Sequence, residues 1–175
     1  MEIEEAIHIR RAIKEFSSKP IPRQIFTELV DAARHSPSGG NKNPWRFVII
    51  TERNTLDLLA QIHPHCGWFA STQAGIAVAA DPTLSRYWLE DCCVAAYSLW
   101  LTAVARGLGM GWAAMYQSDD TVESERRQDV MRDLLSIPGN LNIPVVLGIG
   151  YPNTSPPEKE KPALEEIVYW ERYRT

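Results

Sequence analysis

Basic charge is in deficit. The chain holds 18 lysines and arginines against 22 aspartates and glutamates, a formal net charge of −4. Nucleic-acid binding rests on a basic excess, so no nucleic-acid partner is expected. Cysteine is scarce too: there are three, an odd number, and Cys92 and Cys93 are adjacent. A secreted disulfide scaffold needs spaced pairs, so the expected setting is the reducing cytoplasm. Long apolar runs are missing. The longest mostly apolar stretch, residues 94–105, is interrupted by Tyr97, Ser98 and Thr102. It falls short of the roughly 20 apolar residues that cross a bilayer, so no membrane partner is expected. The first residues carry Glu2, Glu4 and Glu5 where a signal or transit peptide would be basic.

Motifs of self-contained catalysis are absent as well. The chain has no Gly-x-Ser-x-Gly elbow, no P-loop, no His-Glu-x-x-His and no Cys-x-x-Cys. The run Gly107-Leu108-Gly109-Met110-Gly111 superficially suits a dinucleotide. A pyrophosphate fingerprint follows a strand and opens a helix, whereas this run closes one. It reads as a glycine turn that lets the backbone approach something closely. His63-Pro64-His65-Cys66 carries zinc-type donors, but no second ligand pair lies near, so no metal is expected.

What is present describes one ordinary domain over residues 1–175, with 45% hydrophobic and 23% charged residues. A chain of that length buries a core without staples. Helical spacing is expected in a short acidic-first segment with Ile3, Ala6 and Ile7, then after Pro22, then over residues 55–62 and 122–135. The strongest helix is expected over residues 91–106. It is apolar nearly all round, which implies enclosure by protein in the core or at a subunit interface. Strands are expected at 46–51, 75–80, 143–150 and, shorter, 112–115. Residues 151–162 hold four prolines and should be irregular. The tail carries Tyr169, Trp170 and Tyr173, more aromatic surface than a free tail usually shows, so it should dock on something. Mixed helices and strands suggest a sheet with helices on its faces.

Two basic clusters bracket the chain. Arg10, Arg11 and Lys14 lie within five residues, and Lys159 and Lys161 follow the proline-rich stretch. Arginine suits a phosphate bidentately and lysine adds a point charge. A solvated basic helix end explains the first cluster equally well.

Taken in order, the motifs resemble a known family. They are Arg10-Arg11-Ala12-Ile13-Lys14-Glu15-Phe16, Ala33-Arg34-His35-Ser36-Pro37-Ser38-Gly39-Gly40-Asn41-Lys42-Asn43-Pro44-Trp45-Arg46-Phe47, Gly107 to Trp112, and Gly150-Tyr151-Pro152 followed by Lys159 and Lys161. The chain resembles the nitroreductases, FMN-dependent oxidoreductases that use NADH or NADPH. The resemblance implies an α+β, three-layer fold with a mostly antiparallel central sheet flanked by helices. It also implies an intertwined homodimer whose C-terminal tail docks on the partner. The implied chemistry is a ping-pong hydride transfer from NAD(P)H to the flavin N5, then to a nitroaromatic, quinone or similar small acceptor. No side chain is implied as catalytic.

The family's flavin contacts carry over residue by residue. The phosphate and ribityl chain fall to Arg10, Arg11, Ala12 and Lys14. A loop from the partner subunit contributes Pro37, Ser38, Gly39, Asn41 and Asn43. Backbone along the ring comes from Trp112, Ala113 and Ala114, and a last cation from Lys161 or Lys159. Three positions depart from the family pattern. Ala12 stands where serine is usual, Asn43 where glutamine is commoner, and Lys161 where arginine is commoner. Weaker FMN retention is the expected consequence. A flavin carrier or sensor without NAD(P)H turnover is the alternative reading.

Overall fold

Every residue of the strand Ala74–Ala80 is buried, although its neighbours run antiparallel to it. Its place explains this. In the computed structural model, which describes residues 1–173, it is an inner strand of a four-stranded sheet with helices on both faces. In chain order the elements are α1 (Ile3–Ile9), α2 (Arg23–Arg34), β1 (Trp45–Ile50), α3 (Arg53–Leu59), β2 (Ala74–Ala80), α4 (Trp88–Ala105), β3 (Gly109–Ala114), α5 (Thr121–Leu135), β4 (Asn142–Gly150) and α6 (Leu164–Ile167). The sheet order is β1-β2-β4-β3, and each neighbouring pair is antiparallel.

Period-two alternation splits the sheet between two cores. Ile76, Val78 and Ala80 of β2 join Val145, Leu147 and Ile149 of β4 beneath Ala95, Ala96 and Leu99 of α4. Ala77, Ala79 and Val146 face the other way, onto Leu56 and Leu59 of α3, Phe69 and Met131 of α5. The expected three layers are therefore present.

The boundaries show where packing overrode pattern. The strand expected at 112–115 begins earlier, because Gly109, Met110 and Gly111 pair with Gly150, Ile149 and Gly148. Residues 64–71, which carry no helical period, form a 3-10 segment. Pro64 opens it, and the His63 side chain accepts the His65 amide. α4 ends in a Schellman turn, with Gly107 at φ 74° and the Leu108 amide donating to the Ala103 carbonyl. In one chain α4 is not enclosed all round: Val94 and Tyr97 share an exposed stripe. The aromatic residues of the described tail are exposed within this chain, Trp170 at 84%. No helix among the described residues is long and apolar enough to cross a membrane.

Candidate functional site

β1 and β3 are the sheet's edges. The arginine segment covers the first half of β3's edge. Ala12 pairs with Met110 in parallel, and the Ile13 amide donates to the Met110 carbonyl at 3.0 Å. Further on, the Ser17 amide donates to the Tyr151 carbonyl at 2.8 Å. Ile13 and Phe16 point inward and are buried, which leaves Ala12 and Lys14 on the outer face.

Strand parity then assigns the rest of that edge. The Met110 carbonyl faces the arginine segment, so Trp112 and Ala114 turn their amides and carbonyls to the same open side. Ala113 turns its own toward β4 and buries its methyl in the α3–α5 core. The Ala114 carbonyl accepts from Arg127 at 3.0 Å. On the α4 side of this strand lies a cleft of about 330 Å³ lined by Cys93 of α4, Trp112, Ala114, Tyr116 and Pro144.

The two arginines are held differently. Arg11 donates to the carbonyls of His8 (2.6 Å) and Arg10 (2.9 Å), and its other terminal nitrogen lies 3.5 Å from a Glu158 oxygen. Its Nε is buried without an acceptor. The Arg10 guanidinium lies 4.6 Å from the Trp100 ring centre and makes no hydrogen bond or ion pair with the described side chains. The Glu158 contact brings the proline-rich segment to this end of the site. Lys159, one residue on, and Lys161 are exposed and unpaired among the described residues.

The proline-serine loop lies elsewhere. Asp91, buried near the start of α4, accepts the Gly39 amide at 2.8 Å and the Ser85 hydroxyl at 2.7 Å. Ser38 Oγ accepts the Asn43 amide and donates to Asn43 Oδ1. Asn41 and Asn43 both adopt left-handed backbone, φ 56° and 48°, which asparagine tolerates. The hydroxyls of Ser36 and Ser98 meet at 2.8 Å. Ser98 and Trp100 are two residues apart on α4 and point to opposite sides of it. One chain therefore gathers Arg10, Arg11, Ala12, Lys14, Trp112 and Ala114, and keeps Pro37, Ser38, Gly39, Asn41 and Asn43 apart from them; Ala113, expected along the ring, instead turns its backbone to β4 and its methyl into the core.

Other candidates find structural work. The Cys66 thiol is buried and pushed up by desolvation, and that of Cys92 is pushed up to about 12. Partial burial, then the Arg127 charge, pushes His63 down. Phe69 is core, and Trp68 stacks on it at 4.1 Å. Sequence reasoning passed over Asp91 and Trp100. A carboxylate opening an apolar helix was a legible signal for the first, but the second is hidden in an apolar helix.

Residues 7–80 match the family model described as the nitroreductase family. A Methanothermobacter thermautotrophicus protein named "Putative NADH dehydrogenase/NAD(P)H nitroreductase" is 31% identical over 159 residues, 89% of this chain and 80% of that protein. The chain belongs to the nitroreductase family. Within it, a crystal structure of the same name from Bacteroides thetaiotaomicron superposes with a TM-score of 0.89 at 28% identity, covering 98% of both chains. A structure titled FMN-dependent nitroreductase, from Clostridium difficile, shares the fold with a TM-score of 0.83 at 20% identity, covering 96% of this chain and 98% of that one.

Proposed function

We propose that the protein is an FMN-dependent oxidoreductase that takes hydride from NADH or NADPH and delivers it to a small nitroaromatic, quinone or similar acceptor. One observation carries this reading. The Arg10 guanidinium, its donors unpaired among the described residues, lies at one end of an edge whose other end presents the amides of Trp112 and Ala114. The orphaned donors fit the group. Arg10, Lys14 and the buried Nε of Arg11 suit a phosphate dianion and a polyol chain. The open β3 edge suits a flat ring with carbonyl oxygens.

Bound FMN supplies a ring that takes up hydride from the nicotinamide and passes it to the acceptor, in a ping-pong exchange. The chain's residues position and polarise. Arg10 and Lys14 hold the phosphate, with Lys161 or Lys159 added. Amides of β3 favour negative charge on the reduced ring. The cleft beside Tyr116 and Trp112 admits an aromatic acceptor. The proline-serine loop comes from a second copy. Two features support a homodimer: that loop and the arginine segment lie on opposite sides of α4, and Val94, Tyr97, Trp170 and Tyr173 are exposed.

The test is the visible spectrum of FMN-reconstituted protein, before and after anaerobic NADH and then NADPH. Bleaching by either nucleotide is expected and identifies the donor. A bound flavin that neither nucleotide bleaches would favour a carrier or sensor. Absence of flavin binding would remove the site.

A further inference from the structure

Trp100 sits on α4 with 7% of its surface exposed, in the helix's most apolar stretch. Packing alone does not account for it. Its ring lies under the Arg10 guanidinium at 4.6 Å. Its other stacking neighbour is Trp112 on β3, with ring centres 6.1 Å apart and planes inclined by 23°. Its indole N–H is buried and has no acceptor.

A guanidinium's five donors lie in its own plane. Stacking on an aromatic face fixes that plane without using any of them. A carboxylate partner would fix the group too, but it would occupy the donors and offset the charge. Arg11 is held differently: it donates to the carbonyls of His8 and Arg10, and Glu158 stands 3.5 Å from its other terminal nitrogen. Adjacent arginines thus take different treatments, one tied into the fold through its own donors and one held by a neutral ring.

Resting on the FMN reading above, we infer that Trp100 is a positioning residue for the phosphate end of the cofactor. It holds Arg10 flat, charged and unpaired, and through Trp112 it fixes that cation relative to the open edge of β3.

The test uses full-length protein and quenching of flavin fluorescence to measure affinity for FMN and for riboflavin, which lacks the phosphate. Trp100→Leu is expected to weaken FMN about tenfold and to leave riboflavin unchanged. Trp100→Phe, which keeps a ring and loses the N–H, should restore most of the FMN affinity. In an Arg10→Ala background, Trp100→Leu should add no further loss. Equal weakening of FMN and riboflavin, no change in FMN, or an undiminished loss without Arg10 would each overturn the inference. If Trp100→Leu does not fold, Trp100→Met takes its place. Wild-type protein that binds riboflavin as tightly as FMN would overturn the inference and leave flavin binding standing. Wild-type protein that binds neither would overturn both readings.

Discussion

The Ile13 amide and the Met110 carbonyl meet at 3.0 Å, and that bond docks the arginine segment on the edge of β3. The approach is close enough to dictate Gly109. A Cβ there would lie 2.5 Å from Ile13 Cγ1 and 2.8 Å from Ile13 Cβ. Ile13 is branched at that carbon and buried, so it has little room to yield. Gly109→Ala is therefore expected to cost about 1–3 kcal/mol of stability and to weaken FMN binding by displacing Arg10 and Lys14. A urea melt and a flavin titration check it. An unchanged melt would mean the segment is not seated there.

Arg10 and Arg11 should separate in their effects. Arg11 ties down the end of α1 through the His8 carbonyl and reaches Glu158, so Arg11→Ala should lower stability. Losing charge-assisted bonds of this kind costs about 1–3 kcal/mol. The Arg10 guanidinium touches the fold through its stack on Trp100 and makes no hydrogen bond with the described residues, so Arg10→Ala should lower the melt less than Arg11→Ala. It should weaken FMN at least tenfold, as loss of a phosphate-binding charge pair does. Equal effects of the two substitutions on the melt and on FMN would contradict this division.

Asp91 anchors the proline-serine loop from within α4, through the Gly39 amide and the Ser85 hydroxyl. Asp91→Ala leaves both donors without their acceptor, at a cost of about 1–3 kcal/mol. Hydrogen exchange at residues 38–43 is expected to speed up before the rest of the chain responds. If the loop completes the flavin site of a second copy, FMN affinity falls as well. Unaltered exchange in that loop would show that Asp91 does not hold it.

Ala12 shares the outer face of its strand with Lys14. A hydroxyl at residue 12 would stand with the free cations, on the side where the phosphate is proposed to lie. Ala12→Ser is expected to tighten FMN by about 1 kcal/mol, an ordinary hydrogen bond. The same titration against riboflavin separates a phosphate contact from one to the polyol. No tightening of either ligand would place residue 12 outside the site.

How far these relationships were legible differs by residue. β2 and β4 stood out because two helical layers demand continuous apolar strands, as in Ala74–Ala80. β3 was half hidden. Its first residues are Gly109, Met110 and Gly111, and glycine carries no strand signal, yet partners in β4 and the arginine segment hold it extended. The Arg10–Arg11 pair was visible as a pair. Its division of labour was not, because identical side chains are distinguished only by what lies beside them: the Trp100 ring for one, Glu158 for the other. The loop at residues 37–43 was visible from its turn chemistry. Its anchor, Asp91, lies 52 residues away in sequence from Gly39.

Glu123 links the α5 layer to the far end of the β3 edge, and its protonation should be felt there. Its carboxylate accepts from Arg126 Nε at 2.6 Å, Arg126 Nη2 at 2.7 Å and Arg127 Nε at 2.7 Å. Arg127 in turn donates to the Ala114 carbonyl. These bonds, Arg126 first, pull Glu123 down to about 2. An unfolded glutamate titrates near 4.3, so the folded state holds this proton more weakly than the unfolded one. The stability that Glu123 contributes is therefore complete above about pH 5 and drains away as pH falls toward 2. Glu123→Gln removes that contribution at neutral pH and cannot lose it again in acid. The gap in urea midpoint between wild type and Glu123→Gln should accordingly be widest at pH 7, shrink through pH 4 and 3, and close near pH 2. Other carboxylates titrate in both proteins, so the difference isolates this one. A gap that stayed constant across that range would mean that Glu123 is not held ionised by its arginines.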